Sequence, residues 1–524
     1  MTGNVWVVLP LACLAAGAFV VYLVARLLPH RNELLALLTA MIFAGALGAL
    51  VRLAGIAPTP PDTSEGLLTW GNFGSGGAFL RADRGALMIA GVALGMGMLV
   101  TTYSGRYLAL DKRHENYYPL LLLLVTGLLG MVMAADLFSL YMFCELMSVA
   151  AYVLVAFRRR TDTAIEAGFK YLVMGSVGTI TILLGISFVY RETGTLALSQ
   201  AIGAPGLWTR IGVACFLVGL GIKSAVVPLH TWLPDAHGRA PSSISAMLSG
   251  VIVQSAFYAL LKVCLGLGFP AHSLGTLLVV FSFFNMTLGN GLALVQTNTK
   301  RLLAYSTIAQ MGYIMFSIGI GLRYDIPVAI QAGFFLLLTH AVMKGLAFLC
   351  KGVCHFYCDA VTIRQLRGTV TRLPMVAVVF SVALAGLAGV PPLAGFPGKW
   401  LMLTGALRSA DTLGYVGLVV FLLNSLVSLG YYLPLIGTLF ARKTCEDFGE
   451  FGRAVSDTPK SSSQIQISLW MALPLLVLGA LVLGIGLYPG PWLELAAGAG
   501  VDLVAPYNDV LGSVQGALVE GLGR

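Results

Sequence analysis

Six lysines, Lys170, Lys223, Lys262, Lys344, Lys351 and Lys399, lie within or at the edge of strongly apolar stretches, and no arginine joins them there. Arginine keeps its proton essentially everywhere, whereas a desolvated lysine can give its proton up. A lysine at the centre of a bilayer costs about 2.5–3.5 kcal/mol. Several of them in one chain therefore point to a route for protons or ions. Snorkelling from a helix end to the interface is the plainer account, and it suits Lys170 and Lys351. It suits Lys223, Lys262 and Lys344 poorly, because apolar residues flank them on both sides.

Glu145 is the matching acid. It lies in the middle of AADLFSLYMFCELMSVAAYVLVAF with no basic residue within a turn, so any cation that pairs with it comes from another helix. Intramembrane carboxylates mark ion pathways. Asp136 sits nearer the start of the same run and is the weaker candidate. A third feature is a stripe of His340, Lys344, Lys351 and His355. On a helix these four fall within about 60° of one another and cover about 22 Å of axis. A titratable face of that length suits a proton relay with water between the groups. Cys350, Cys354 and Cys358 recur every fourth residue with His355 beside them. Zinc sites favour CxxC-type spacings, so small apolar residues packed against a neighbouring helix is the preferred reading. The eight cysteines are scattered and make no disulfide framework.

These side chains need apolar elements to bury them, and the composition supplies them. Only 10% of the 524 residues are charged, against about 25% in soluble domains. Hydrophobic residues make up 58%, and the mean hydropathy is +0.87. Disorder, a coiled coil and a nucleic-acid-binding domain are excluded. A span needs about 20 apolar residues, and fourteen candidates can be counted. The first is too long for a removed signal peptide and lacks its small-residue cleavage site. The expected fold is an all-α polytopic membrane protein.

Two spans are interrupted. In GIKSAVVPLHTWLPDAH, Pro228 and Pro234 follow Lys223; in LAGVPPLAGFPGKW, Pro391, Pro392 and Pro397 precede Lys399. Proline removes a helix hydrogen bond, and such backbone survives at membrane depth only inside protein or beside a wet cavity. The two breaks are five spans apart. That spacing suggests two inverted five-helix repeats, helices 4–8 and 9–13, with helices 7 and 12 broken. The expected division is 1–116 (three helices and an outside loop at 55–83), 117–266 (first repeat), 272–440 (second repeat) and 441–524. The last part comprises a charged inside linker, helix 14 and a surface segment that could lie on the membrane. Eighteen Lys and Arg fall on one set of loops and eight on the other. The positive-inside rule then places both termini outside. There is no GxGxxG after a strand, no Walker loop, no HExxH and no CxxC cluster motif, so no cofactor is expected in this chain.

Four stretches carry a resemblance: GIKSAVVPLHTWLPDAHGRAPSSISAMLSG, NTKRLLAYSTIAQMGYIM, HAVMKGLAFL and GVPPLAGFPGKW. The chain resembles the antiporter-like membrane subunits of respiratory complex I (NADH-quinone oxidoreductase), of Mrp-type Na⁺/H⁺ antiporters and of energy-converting membrane-bound hydrogenases. The resemblance runs from about residue 100 to 440. It implies fourteen core helices, two inverted five-helix repeats and discontinuous helices 7 and 12. It also implies a Glu145–Lys223 pair, His340 and Lys344 on helix 11, Lys399 after the helix 12 break, and His230 after the helix 7 break. One departure stands out. Gln254 occupies the place of a common helix 8 lysine, and Lys262 follows about 12 Å further along. Either Lys262 takes over or the central relay runs through His340 and Lys344.

The expected function is a proton-translocating subunit of a complex I-like redox-driven pump in a bacterial or archaeal cytoplasmic membrane. Its protons would enter from the inside through water near the broken helices, pass Lys223 and the Lys262–His340–Lys344 region, and leave through Lys399. The partners implied are other membrane subunits, a peripheral redox module and the lipid bilayer, with no nucleic acid. Iron–sulfur clusters, flavin or NiFe centres are expected only in partner subunits. The alternatives are a Na⁺/H⁺ antiporter subunit of an Mrp-like complex and a non-conducting membrane anchor.

Overall fold

The structure is a computed structural model that describes residues 5–28, 31–56, 68–70, 79–109, 111, 114–158, 162–198, 205–441 and 465–505. Most of the charged linker, Cys445, part of the 55–83 loop and the end of the tail lie outside the described residues.

Apolar composition makes the elements. Eleven helices are long and apolar enough to cross a membrane. They are α1 (Val5–Leu27), α2 (Asn32–Ile56), α3 (Arg84–Tyr107), α5 (Leu137–Val155), α6 (Asp162–Thr193), α9 (Ser242–Gly266), α10 (Ala271–Leu294), α11 (Thr299–Tyr324), α12 (Pro327–Cys358), α15 (Thr412–Phe440) and α16 (Leu469–Leu487). The shorter α4 (Tyr117–Met133) is equally apolar. Two interrupted pairs complete the set: α7 (Leu207–Lys223) with α8 (Trp232–Arg239), and α13 (Pro374–Ala388) with α14 (Gly395–Arg408). Counting each pair as one gives fourteen helical units among the described residues, of which eleven are long and apolar enough to cross a membrane.

The helices divide into a centre and a rim. The spanning windows of α9 and α12 are buried along their whole length, and that of α11 nearly so. On α15 only about a third of the window is buried, and the rest carries large apolar side chains such as Val419, Leu423 and Leu426 that suit lipid. Lys262, Lys300, Lys344 and Lys351 sit on these innermost helices, and Lys223 and Lys399 on the interrupted ones. Between helices in lipid, attraction comes from close packing, which small residues permit. The α10–α11 contact shows this: a Cβ on Gly275 would meet Gly319 O at 2.6 Å.

The interruptions are narrower than the sequence suggests. The first covers 224–231 and contains Pro228; the second covers 389–394 and contains Pro391 and Pro392. Pro234 and Pro397 break nothing. Each falls in the first turn of the resumed helix, where the missing N–H would be unpaired anyway. Freed backbone groups find partners from other helices, as burial demands. Val227 N donates to Asn285 Oδ1 (2.8 Å), and Ala394 N donates to Val482 O (3.1 Å).

One end of the bundle carries additions to the helical frame. An antiparallel hairpin, β1 (Leu68–Trp70) with β2 (Leu80–Ala82), runs into α3, and Leu80 bridges to Ala134 after α4. Residues 490–505 are helical and are tied down. Asp502 takes the Arg84 guanidinium at 2.5 Å, and Gln331 Nε2 donates to Leu493 O at 3.0 Å. The first part of the expected surface segment is thus docked on the bundle.

Candidate functional site

Lys223 is the last residue of α7, where the carbonyl end of the helix favours a cation. It is 2% exposed. Its Nζ donates to Ser148 Oγ (2.6 Å) and Tyr152 Oη (3.1 Å) on α5. The expected Glu145–Lys223 pair is not closed. Glu145 is half-buried on the same helix, one turn before Ser148, and no ion pair to Lys223 occurs within 4 Å among the described residues. The hydroxyls of Ser148 and Tyr152 stand in the place expected for the carboxylate. Asp136 has a structural role: it caps α5, accepting from Phe138 N and Ser139 N.

Lys344 is fully buried on α12. Its Nζ donates to Leu303 O at 2.8 Å and to Ser306 Oγ, both on α11. One turn further along α11, Gln310 Nε2 donates to Leu387 O at 2.9 Å. That carbonyl, at the end of α13, also accepts from Lys399 Nζ (3.3 Å), and Ala388 O accepts from it at 2.8 Å. Lys399 comes from α14 and reaches back across the break to cap the unpaired carbonyls of α13. Two polar groups thus lie one helical turn apart along α11: Lys344 with Ser306, and Gln310 with Leu387 O and Lys399.

His340 lies one turn before Lys344 and is 2% exposed. Both its ring nitrogens are buried without a partner among the described residues. His237 on α8 shares that state, stacked on Phe348 at 4.8 Å. It lies inside the PLHTWLPDAH motif, yet nothing in its local sequence separates it from His230. The difference is tertiary. His230 is half-buried in the break with an unpartnered Nδ1, and His237 is wholly enclosed.

Lys351 does not snorkel. It is 2% exposed and donates to Ala360 O at 2.5 Å. Lys300, sorted by sequence with the loop charges, is also buried and donates to Ala240 O at 2.7 Å. His355 faces Asp359 Oδ1 at 3.3 Å at the end of the stripe. Lys170 does lie at the surface, paired with Glu166 (2.8 Å) and Asp235 (3.2 Å).

Lys262 is not part of the central group. It points toward the hairpin end of the bundle, donating to Val132 O (3.0 Å) and lying 3.5 Å from Asp83 Oδ2. Asp83, in the polar 55–83 loop, was not legible as its partner. Gln254 is 4% exposed, and its Nε2 has no partner among the described residues. Cys350 and Cys354 are buried. No group of three or more His, Cys, Asp or Glu able to hold a metal ion occurs among the described residues.

This chemistry is one of ammonium groups solvated by hydroxyls and carbonyls. Among the described residues, Lys223, Lys300, Lys344, Lys351 and Lys399 have no carboxylate within ion-pair distance. Lys223 and Lys344, held by hydroxyls, can exist charged or neutral in one geometry, because hydroxyls both donate and accept.

Residues 134–425 match the family model described as "NADH:quinone oxidoreductase/Mrp antiporter, TM". NADH-quinone oxidoreductase subunit N of Desulforamulus reducens is 32% identical, over 82% of this chain and 87% of that one. F(420)H(2) dehydrogenase subunit N of Methanosarcina mazei is 32% identical, over 79% and 83%. A chain of the membrane-bound sulfane sulfur reductase, an archaeal respiratory membrane complex, superposes with a TM-score of 0.82 at 26% identity, covering 96% of this chain and 99% of that one. The chain belongs to the NADH:quinone oxidoreductase/Mrp antiporter transmembrane family.

Proposed function

We propose that this chain is the proton-translocating, antiporter-like membrane subunit of a redox-driven pump whose electron carriers sit in other subunits. The observation that carries the reading is the pair of buried lysines along α11, Lys344 donating to Ser306 Oγ and, one turn on, Lys399 sharing the Leu387 carbonyl with Gln310. Lys223 stands in an equivalent hydroxyl-lined setting on the other side of the centre. A membrane anchor has no use for several buried lysines that each cost about 2.5–3.5 kcal/mol in lipid. Sodium needs a cluster of oxygen ligands, and the carbonyl and hydroxyl oxygens here are already taken by the ammonium groups of Lys344 and Lys399. Protons are the ion that this lining suits.

Residues 117–266 and 272–440 serve as two inverted halves in this reading, each with one broken helix ending or beginning beside its lysine. The termini face outside. A proton taken up near the breaks reaches Lys223. Movement of Glu145 toward or away from Lys223 changes how strongly its charged form is held, and the proton passes by water to His340, Lys344 and Lys399.

The relatives named as subunits N suggest the assembly in which to test this. The intact complex, reconstituted in liposomes and supplied with the donor it oxidises, is assayed for protons moved per electron. Glu145→Gln and Lys223→Ala should lower that ratio while the complex still assembles. Unchanged ratios in both variants would remove this pathway.

A further inference from the structure

We infer that Tyr432 on α15 carries protons between Lys344 and Lys399, as a hydroxyl bridge beside Ser306 and Gln310. This deepens the proton-translocation reading and rests on it.

Most of α15 faces outward, yet its buried face is polar at Asn424, Ser428, Tyr431 and Tyr432. Three of the four are paired. Asn424 Nδ2 donates to Val420 O at 2.9 Å, Ser428 Oγ to Ser425 O at 2.6 Å, and Tyr431 Oη to Asn290 Oδ1 at 2.8 Å. Tyr432 is the exception. Its side chain is fully buried. Its Oη is the one tyrosine hydroxyl among the described residues that is buried without a hydrogen bond. A buried hydroxyl left unpaired is destabilising, and phenylalanine would fill the same space without that cost. Packing alone therefore does not account for a tyrosine here.

The surroundings show what the hydroxyl could serve. The polar side chains that face it are Ser306, Tyr431 and Gln310, none of them in hydrogen-bond geometry with it. Ser306 and Gln310 are one turn apart on α11, and each adjoins a buried lysine. Ser306 Oγ accepts from Lys344 Nζ. Gln310 Nε2 donates at 2.9 Å to Leu387 O, which also accepts from Lys399 Nζ at 3.3 Å. Tyr432 thus stands at the gap between the two groups. A hydroxyl can donate and accept at once, which a relay requires. Tyr431 cannot take this place, because its proton is committed to Asn290.

The step needs one water on the Gln310 side, the partner that an otherwise unpaired buried hydroxyl ordinarily takes. An N–H bond of the Lys344 ammonium breaks as an O–H bond forms on Ser306. Ser306 gives its own proton to Tyr432 Oη while the phenol proton passes to the water. The water gives one of its protons to the neutral Lys399 amine, where an N–H bond forms. The shifts are concerted, so the buried phenol never carries a charge. Lys344 ends neutral and Lys399 charged, and both hydroxyls and the water end as they began.

The test uses the reconstituted complex, read as protons per electron, with assembly and the thermal midpoint measured alongside. Tyr432→Phe removes only the hydroxyl. It is expected to drop the ratio to that of Lys223→Ala, with the midpoint at or above wild type because no hydrogen bond is lost. Tyr431→Phe loses the bond to Asn290 and is expected to lower the midpoint while keeping the ratio. If Tyr432→Phe keeps the wild-type ratio while Lys223→Ala lowers it, the bridge is overturned and the proposed function stands. A lowered midpoint or failed assembly in Tyr432→Phe also overturns it, since the hydroxyl is then a structural partner. So does an equal loss of ratio in Tyr431→Phe. If Lys223→Ala leaves the ratio unchanged, the proton function fails and the bridge with it.

Discussion

Lys223 and Ser148 are joined by a 2.6 Å hydrogen bond, with Glu145 one turn earlier on the same helix and not in contact with the ammonium group. The hydroxyl holds Lys223 while leaving the carboxylate free to approach or withdraw. A hydrogen bond to a charged group contributes about 1.5–3 kcal/mol. Ser148→Ala should therefore weaken the hold on the charged lysine by about tenfold or more and reduce pumping severalfold. Lys223→Ala should remove the subunit's pumping. Proton uptake by reconstituted complex, normalised to electron transfer, checks both, and Ser148→Ala pumping at the wild-type rate would contradict the role given to the hydroxyl.

Lys399 serves two purposes, capping α13 and moving a proton, and the two can be separated. Arginine can still donate to Leu387 O and Ala388 O, but it does not shed its proton. Lys399→Arg is expected to give normal assembly on a native gel with pumping lost. Lys399→Met is expected to lose both, because the carbonyls at the break are left unpaired. Pumping by the Arg variant would show that Lys399 acts only as a cap.

Asn285 supports the first break. Its Oδ1 accepts from Val227 N at 2.8 Å, and its Nδ2 approaches Ala225 O and Ile308 O at 3.4 Å. Leaving the buried Val227 N–H unpaired costs about 1–3 kcal/mol. Asn285→Ala should lower the thermal midpoint of the detergent-solubilised complex by a few degrees. The check is a thermal melt followed by tryptophan fluorescence; a midpoint equal to wild type would mean that water replaces the side chain.

The α10–α11 contact tolerates no side chain at Gly275, where a Cβ meets backbone rather than a flexible end. Overpacking costs about 1–3 kcal/mol. Gly275→Val should cut the yield of folded protein in membranes severalfold, whereas Gly291→Ala, with open space around it, should not. Quantifying both in isolated membranes by fluorescence of a fused reporter tests the pair.

Arg84 clasps Asp502 through both its Nε (3.0 Å) and its Nη2 (2.5 Å). Arg84→Ala should release the 490–505 helix from the bundle. Limited proteolysis of the purified complex should then cut within that segment at least several times faster than in wild type, with the other spans still protected.

Local chemistry was enough to read much of this from sequence. Proline cannot donate a helix hydrogen bond, so the interruptions near Pro228 and Pro391–Pro392 were visible, as were the apolar runs that make the spans. A lysine flanked by apolar residues must be buried, so Lys223, Lys344 and Lys399 could be named as candidates. Helical spacing also put His340 and Lys344 on one face. What a helix face meets is a different matter, because periodicity tells which residues point together and not which helix lies opposite. Only the tertiary structure decided that Lys223 is held by Ser148 and Tyr152 while Glu145 stands apart, and that Lys344 meets Ser306 while Lys399 shares the Leu387 carbonyl with Gln310. The same holds for Lys262, turned toward Asp83 by a loop whose polar composition gave no sign of a partner, and for Lys351 and Lys300, drawn inside by single carbonyls. Partners distant in the chain come together through the packing of whole helices.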